Sequence, residues 1–468
     1  MILKILLFLF LVGCLLMLII PYIKRTRIDD FSKIDQLVDP EKYWFGENYT
    51  SGNRIYAEKT KINKVILLPS ASSIIHQMYT IISGAQKSII LSTYRWRVEP
   101  KDGKVNGQIL AIGYALAELS NRCKLEKKNV SFMILCNQML LGSESNGWVT
   151  TQLMKTLACW FDIGFQPVAN EEEFGVYIDF RTWPHITLGN IHSKFLIVDN
   201  LQVATYSLNI EGYSHGKDGS WKECGVCFHS PEYATHITQY FHDLWSNHTT
   251  KFNMFELFTR LKPFYFEEEL KDVTFNFKNY EINEPQDNIS CLVLTSIPRP
   301  FALDRSNAIM SALVPILKNA KKSIYITTPN LNDPVIVSIL QTKITEKLDV
   351  AVVLDKGFNI DVPYIQAALL GWSTNEQQVS TWYANGLANY MRWNGNSGYV
   401  ITGKVDHQLH GKTFLIDDEI CVIGSLNADV YSTISSAEII TILFSKELGL
   451  SLKNQFFNPI WCQSVPIK

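Results

Sequence analysis

The sequence predicts an α/β protein made of two pseudo-twofold-related halves. Each half is a mostly parallel or mixed sheet flanked by helices, and the functional site lies on the seam. Three observations predict it. Five polar residues recur at matched offsets, a helix–strand alternation recurs around them, and 468 residues suffice for two such units. The composition, 47% hydrophobic and 19% charged, is that of a folded globular chain. A net charge of −2 excludes a global basic field for holding nucleic acid, so attraction for a polyanion must be local.

In chain order, residues 5–23 are apolar and uncharged between Lys4 and Lys24-Arg25, about enough to span a bilayer. They lack a small-residue cleavage site, which predicts an uncleaved signal anchor over residues 1–23. The flanking charges do not decide its orientation. Residues 24–60 follow as a polar stem. Ile74, Ile75, Met78, Ile81 and Ile82 have helical spacing after a serine-rich start, with Gly84 as the stop. Ala85–Thr93 is the next strand, followed by another over Val130–Leu135. This first half spans residues 61–249. Residues 250–289, rich in aromatic and acidic side chains, form a connection that packs over the seam. The second half, 290–468, repeats the helix with Ile309, Leu313, Ile316 and Leu317, then strands over Ala320–Thr328 and Val350–Leu354.

The duplicated motif carries the chemistry. From His192, Lys194 falls at +2, Asp199 at +7, Ser207 at +15 and Asn209 at +17; from His410, Lys412, Asp417, Ser425 and Asn427 fall at the same offsets. A His and a Lys two apart on a strand share one face. Two such faces make a pocket with two imidazoles and two ammoniums, suited to an anionic phosphodiester. One His attacks phosphorus, the other protonates the leaving oxygen, and the roles then reverse. The lysines grip the non-bridging oxygens, with Ser207, Asn209, Ser425 and Asn427 as further donors. No metal cofactor is needed. Glu223 and Glu438, at +31 and +28 from their histidines, are assigned to orient the imidazoles. Asp199 and Asp417 complete the catalytic motif and fix the loop after each strand.

A lone His on an apolar strand is ordinarily a core residue; the matched pair is what gives these a role. Tyr94, Trp96, Trp183 and Trp382 are candidates for stacking bases, weighed against ordinary core packing. Cys224-Gly-Val-Cys227 has metal-like spacing without a second pair, so buried thiols or one disulfide half are expected. Four glycosylation sequons, at Asn48, Asn129, Asn247 and Asn288, suit a lumenal glycoprotein.

HxKxxxxD followed by SxN resembles the duplicated motif of the phospholipase D superfamily, over the chain from about Lys64 to the end. VILLPSASS, Ser92-Thr-Tyr-Arg-Trp96 and IHSKFLIVD, with the single anchor, are most similar to its type II membrane branch containing phospholipases D three and four. That resemblance implies a 5′ exonuclease on single-stranded DNA or RNA, placed from the endoplasmic reticulum and Golgi to the endolysosomal lumen. By analogy His192 is the nucleophile and His410 the general acid, an order the symmetry leaves open. Phospholipid cleavage or transphosphatidylation is the second reading, and a catalytically weakened membrane-bound homologue the third. Partners are the phosphodiester substrate, the membrane through the N-terminal helix, and a second copy in a homodimer. One position departs from the pattern. Tyr206 stands where a glycine normally precedes the motif Ser, as Gly424 does in the second copy. Tyr206 there narrows the pocket, donates a hydrogen bond to substrate, or weakens the site.

Overall fold

The computed structural model describes residues 59–98, 107–139, 146–185, 189–211, 221–246, 249–259, 283–298, 307–356, 375–384, 386–394 and 409–467. The expected anchor and nearly all of the stem lie outside these residues. Among the described residues no helix is long and apolar enough to cross a membrane.

Among the described residues sixteen strands form one continuous sheet whose order repeats outward from a central junction. At the junction Thr60–Leu68 of the first half pairs antiparallel with Ile289–Thr295 of the second. Moving outward come Gly225–His229 and Ile439–Phe444, then Gln202–Tyr206 and Ile420–Gly424, then Phe195–Val198 and Thr413–Ile416. Beyond them lie Ser88–Thr93 and Ser323–Thr328, then Asn129–Met139 and Asp349–Asp355, then Gly175–His185 and Met391–Asn394. The edges are Thr250–Asn253 and Val465–Pro466. In each half three successive strands of the outer part run parallel, and the rest are antiparallel, so the sheet is mixed.

The helix expected around Ile74 runs over Ala71–Ser83. Ser70 caps it, accepting from Ser73 N, while the Ser73 hydroxyl accepts from Ser70 N. Its counterpart, Ala308–Lys318, is capped by Asn307. These helices cover the outer sheet faces over two separate cores, one centred on Ile74, Leu116 and Trp160, the other on Leu313, Ile336 and Trp382. A third core lies between the halves, where Phe195, Val226 and Tyr240 pack with Leu415, Ile423 and Phe456. Burying one such side chain contributes about 2 kcal/mol, so this shared layer holds the halves in register.

Both expected strands start later than the pattern suggests, at Ser88 and Ser323. The reason is the motif aspartates. Asp199 accepts from the backbone N–H of Gln86, Lys87 and Ser88, and Asp417 from Lys321, Lys322 and Ser323. These bonds hold residues 86–87 and 321–322 as a turn. Asp199, Asn200, Asp417 and Asp418 all have positive φ, near 55°, as a tight hairpin requires.

The expected connection begins differently. Residues 250–259 form the edge strand of the first half and a short helix, Met254–Thr259, that packs on it. Residues 260–282 lie outside the described residues. The chain then returns along the first strand, where Val65 and Gln286 exchange backbone bonds at 2.7 and 2.9 Å.

Candidate active site

Each His-x-Lys segment is extended and immediately precedes a short strand rather than lying within it. What fixes it is the other half of the chain. Ile191 makes a parallel bridge to Ala437, and Leu409 to Lys222. His192 N donates to Ala437 O at 2.9 Å, and His410 N to Lys222 O at 3.0 Å. Gly411 N also reaches Lys222 O, and a Cβ at Gly411 would lie 2.3 Å from Phe456 Cζ, so a larger residue there would have to displace the Phe456 ring.

The residues following those bridge partners are Glu438 and Glu223, so each histidine meets the carboxylate of the opposite half. His192 Nδ1 lies 2.8 and 3.0 Å from the two Glu438 oxygens, and His410 Nδ1 lies 2.8 Å from Glu223 Oε1. The sequence reading paired each glutamate with its own histidine; the structure crosses them. A carboxylate accepting at Nδ1 assigns the proton there and leaves the lone pair on Nε2.

The motif serines serve those carboxylates rather than the substrate. Ser207 Oγ donates to Glu223 and accepts from Cys224 N at 3.0 Å; Ser425 Oγ donates to Glu438 and accepts from Ile439 N at 3.0 Å. Two relays therefore cross the seam, Ser207–Glu223–His410 and Ser425–Glu438–His192. This replaces the expected role of Ser207 and Ser425 as phosphate donors. Asn209 donates to Glu211 at 2.7 Å, and Asn427 hydrogen-bonds Asp429. The Oδ1 atoms of both asparagines are buried with no hydrogen-bond partner among the described residues. The two acids, Glu211 and Asp429, both stand at +19 from their histidines and were missed; extending the offset comparison by two residues finds them.

Lys194 and Lys412 are buried, and each ammonium donates to the carbonyl of its own histidine. Burial pushes both ammoniums down, Lys412 to about 8; the neighbouring Lys412 lowers Lys194 further. Burial also pushes down both imidazoles, His410 to about 4, and the lysines add to it. Above pH 6.5 the neutral His410 ring costs the fold nothing. As pH falls from 6.5 to 4, stability worth about 3 kcal/mol is lost, because the unfolded chain takes the proton first. The carboxylates differ: burial lifts Glu438 to about 8, whereas at Glu223 the burial effect is outweighed by His410, Lys412 and the Ser207 hydroxyl, which hold it low.

Asp199 and Asp417 are not brought to this pocket; their carboxylates are committed to the turns described above. Tyr206 is not there either. Strand alternation aims Thr205 at the seam, where its hydroxyl meets Thr441 at 2.7 Å, and sends Tyr206 into the first-half core among Ile74 and Leu208. The glycine of this close strand pair has changed strands. Tyr206 faces Gly225, whose Cβ would lie 2.8 Å from the Tyr206 Cβ, whereas Gly424 faces Ile440, and a Cβ at 424 would lie 2.2 Å from Ile439 O. Tyr206 therefore packs in the core and does not line the pocket. Its hydroxyl is buried with no hydrogen-bond partner among the described residues. Tyr206→Phe is expected to raise the thermal midpoint, by roughly 1 kcal/mol of relieved desolvation, with kcat/KM within about twofold of the parent. A large loss of activity would return Tyr206 to the site.

Among the aromatic candidates, Trp96 and Trp382 are core residues, and the Trp183 indole donates to Gly189 O. Tyr94 is at the site, its ring edge-on to His192 at 5.1 Å and 5.4 Å from the Lys194 ammonium. Trp221, not singled out from the sequence, packs on the His410 ring at 4.7 Å. Cys224 and Cys227 are buried free thiols.

Residues 313–461 match the family described as cardiolipin synthase, PLD-like domain. Over 434 residues the chain is 22% identical to an uncharacterized protein of Helicobacter pylori strain 26695, covering 86% of this chain and 81% of that one. Over 158 residues it is 28% identical to cardiolipin synthase 1 of Bacillus anthracis, covering 34% of this chain and 27% of that protein. The fold is similar to that of phosphatidylserine synthase from Haemophilus influenzae, with a TM-score of 0.58 at 13% identity, covering 88% of this chain and 90% of that one. Fold and site together define the class of duplicated two-histidine proteins whose members act on phosphodiesters. Residues 313–461 are a PLD-like domain, and the fold of the chain as a whole is similar to that of the phosphatidylserine synthase.

The comparisons also correct the expected location. The type II placement from endoplasmic reticulum to endolysosome is overturned, and the lumenal glycoprotein finds no support. The matched relatives named above are bacterial proteins, and no described helix is long and apolar enough to cross a membrane. The site also needs no second copy, since one chain supplies both motifs.

Proposed function

We propose that this chain cleaves phosphodiesters through a phosphohistidine intermediate. The observation that carries the proposal is the crossed pair of histidine–glutamate contacts around two buried lysines. His192 Nε2 attacks phosphorus as the bond to the leaving oxygen breaks, and His410, as imidazolium, gives its Nε2 proton to that oxygen. Neutral His410 then takes a proton from water, which attacks phosphorus, breaks the P–N bond and restores His192. Asymmetry in the surroundings supports this order. Burial holds His410 low, but the low-held Glu223 carboxylate and the Trp221 ring work against it and favour the imidazolium there more than anything does at His192. At His192 burial, then the charges of Lys194 and Lys412, and last that of Arg95, favour the neutral ring.

The favoured substrate is single-stranded nucleic acid, cut from the 5′ end. Support comes from the motif resemblance and from an aromatic ring beside each histidine, Tyr94 and Trp221. Phosphatidyl transfer is the second reading, favoured by the cardiolipin synthase names of the matched family and of one relative. The test offers the full chain labelled single-stranded oligonucleotide, phosphatidylglycerol and bis(p-nitrophenyl) phosphate, each with chelator. Cleavage of at least one with chelator present is expected. Inactivity of the folded protein on all three sinks the proposal, and activity lost to chelator sinks its metal-free form.

A further inference from the structure

The two lips of the pocket are built alike but carry different side chains. Residues 93–96 and 328–331 are counterparts. Thr93 Oγ1 donates to Arg95 O at 3.0 Å, as Thr328 Oγ1 does to Asn330 O at 2.9 Å. Trp96 bridges Ile210, as Leu331 bridges Ala428. Tyr94-Arg95 on the His192 side therefore stands where Pro329-Asn330 stands on the His410 side. Only one lip carries a cation.

That cation is held in place. The Arg95 guanidinium lies 5.5 Å from the centre of the Tyr94 ring, the ring that also borders His192 and Lys194. Its Nη1 is 3.4 Å from the buried Glu211, whose other oxygen is held by Asn209. A strong charge-assisted bond is about 2.8 Å, so this longer contact orients the guanidinium without enclosing it. The Arg95 side chain is 37% exposed, whereas Lys194 and Lys412 are buried and aimed inward. The lysines suit the one scissile phosphate; Arg95 stands at the mouth.

We infer that Arg95 binds a second phosphate of the substrate, adjoining the scissile one on the His192 side, and so selects diesters that carry two. The inference rests on the phosphodiesterase reading above and narrows its substrate class. Two phosphates in reach occur in a nucleotide chain and in a bisphosphate lipid, so the test has an arm for each. In one, the 5′-phosphorylated thymidine dinucleotide is compared with its unphosphorylated form. In the other, cardiolipin is compared with phosphatidylglycerol in detergent micelles.

The quantity measured is the ratio of kcat/KM within each pair. In at least one arm the wild-type ratio is expected to favour the two-phosphate substrate by about tenfold or more, the worth of one charge-assisted bond. Arg95→Gln is expected to bring that ratio near one, mainly through KM, and Arg95→Lys to restore part of it. A wild-type ratio of one in both arms, or a ratio that Arg95→Gln leaves in place, overturns the inference. Wild-type enzyme inert towards bis(p-nitrophenyl) phosphate as well as both pairs would instead sink the phosphodiesterase reading.

Discussion

Replacing His192 by Asn is expected to lower turnover by about 10⁴-fold or more and to abolish acid-labile phosphate labelling of the protein, because the remaining imidazole of the pocket, His410, is assigned to the leaving oxygen and not to phosphorus. His410→Asn behaves differently. It removes the leaving-group proton and the later base, but a p-nitrophenyl leaving group departs without protonation. That variant is therefore expected to form the phosphohistidine and hydrolyse it about 10²–10⁴-fold more slowly, so the label accumulates. Quenched-flow labelling followed by peptide mapping decides it. A label that builds up in His192→Asn and sits on His410 would reverse the two roles.

The second large effect comes from the crossing of the seam. Glu223 lies in the first half but holds His410, and Glu438 lies in the second but holds His192. Glu223→Gln should therefore resemble His410→Asn, slowing breakdown of the intermediate, while Glu438→Gln should resemble His192→Asn and slow its formation. Each is expected to lose about 10²–10⁴ in the affected step, the range seen when an imidazole loses the carboxylate that sets its tautomer. If Glu223→Gln slowed formation and spared breakdown, the crossed relays would not be what positions the rings.

Much of this site was legible in the sequence because duplication supplies its own control. The offsets of His, Lys, Ser and Asn agree between copies, and a polar residue kept at one offset in two apolar strands needs a reason in both. The glutamates were legible as orienting groups, but their partners were not. Offsets describe one chain segment, and the crossing is set by two bridges, Ile191 to Ala437 and Leu409 to Lys222, formed between segments remote in sequence. Tyr206 misled for a related reason. Aligned with Gly424 alone, it stands at the pocket; only the register that sets it against Gly225 shows that the small residue moved to the neighbouring strand. Trp221 gave no periodic signal, since its ring matters only through the His410 it covers.

The crossing has a consequence for how this chain comes into being. Residues 313–461, the stretch recognised as a domain, hold His410, Lys412 and Glu438, yet the carboxylate that orients His410 lies outside that stretch. The unit of inheritance is a half, while the unit of chemistry is the joint. A nascent chain released before the second half has docked carries a histidine without the carboxylate that contacts it, and so does a fragment of either half left by proteolysis. Neither is a weaker enzyme so much as an unarmed one. Activity thus reports that both halves are present, folded and closed on each other, which makes turnover itself a check on assembly.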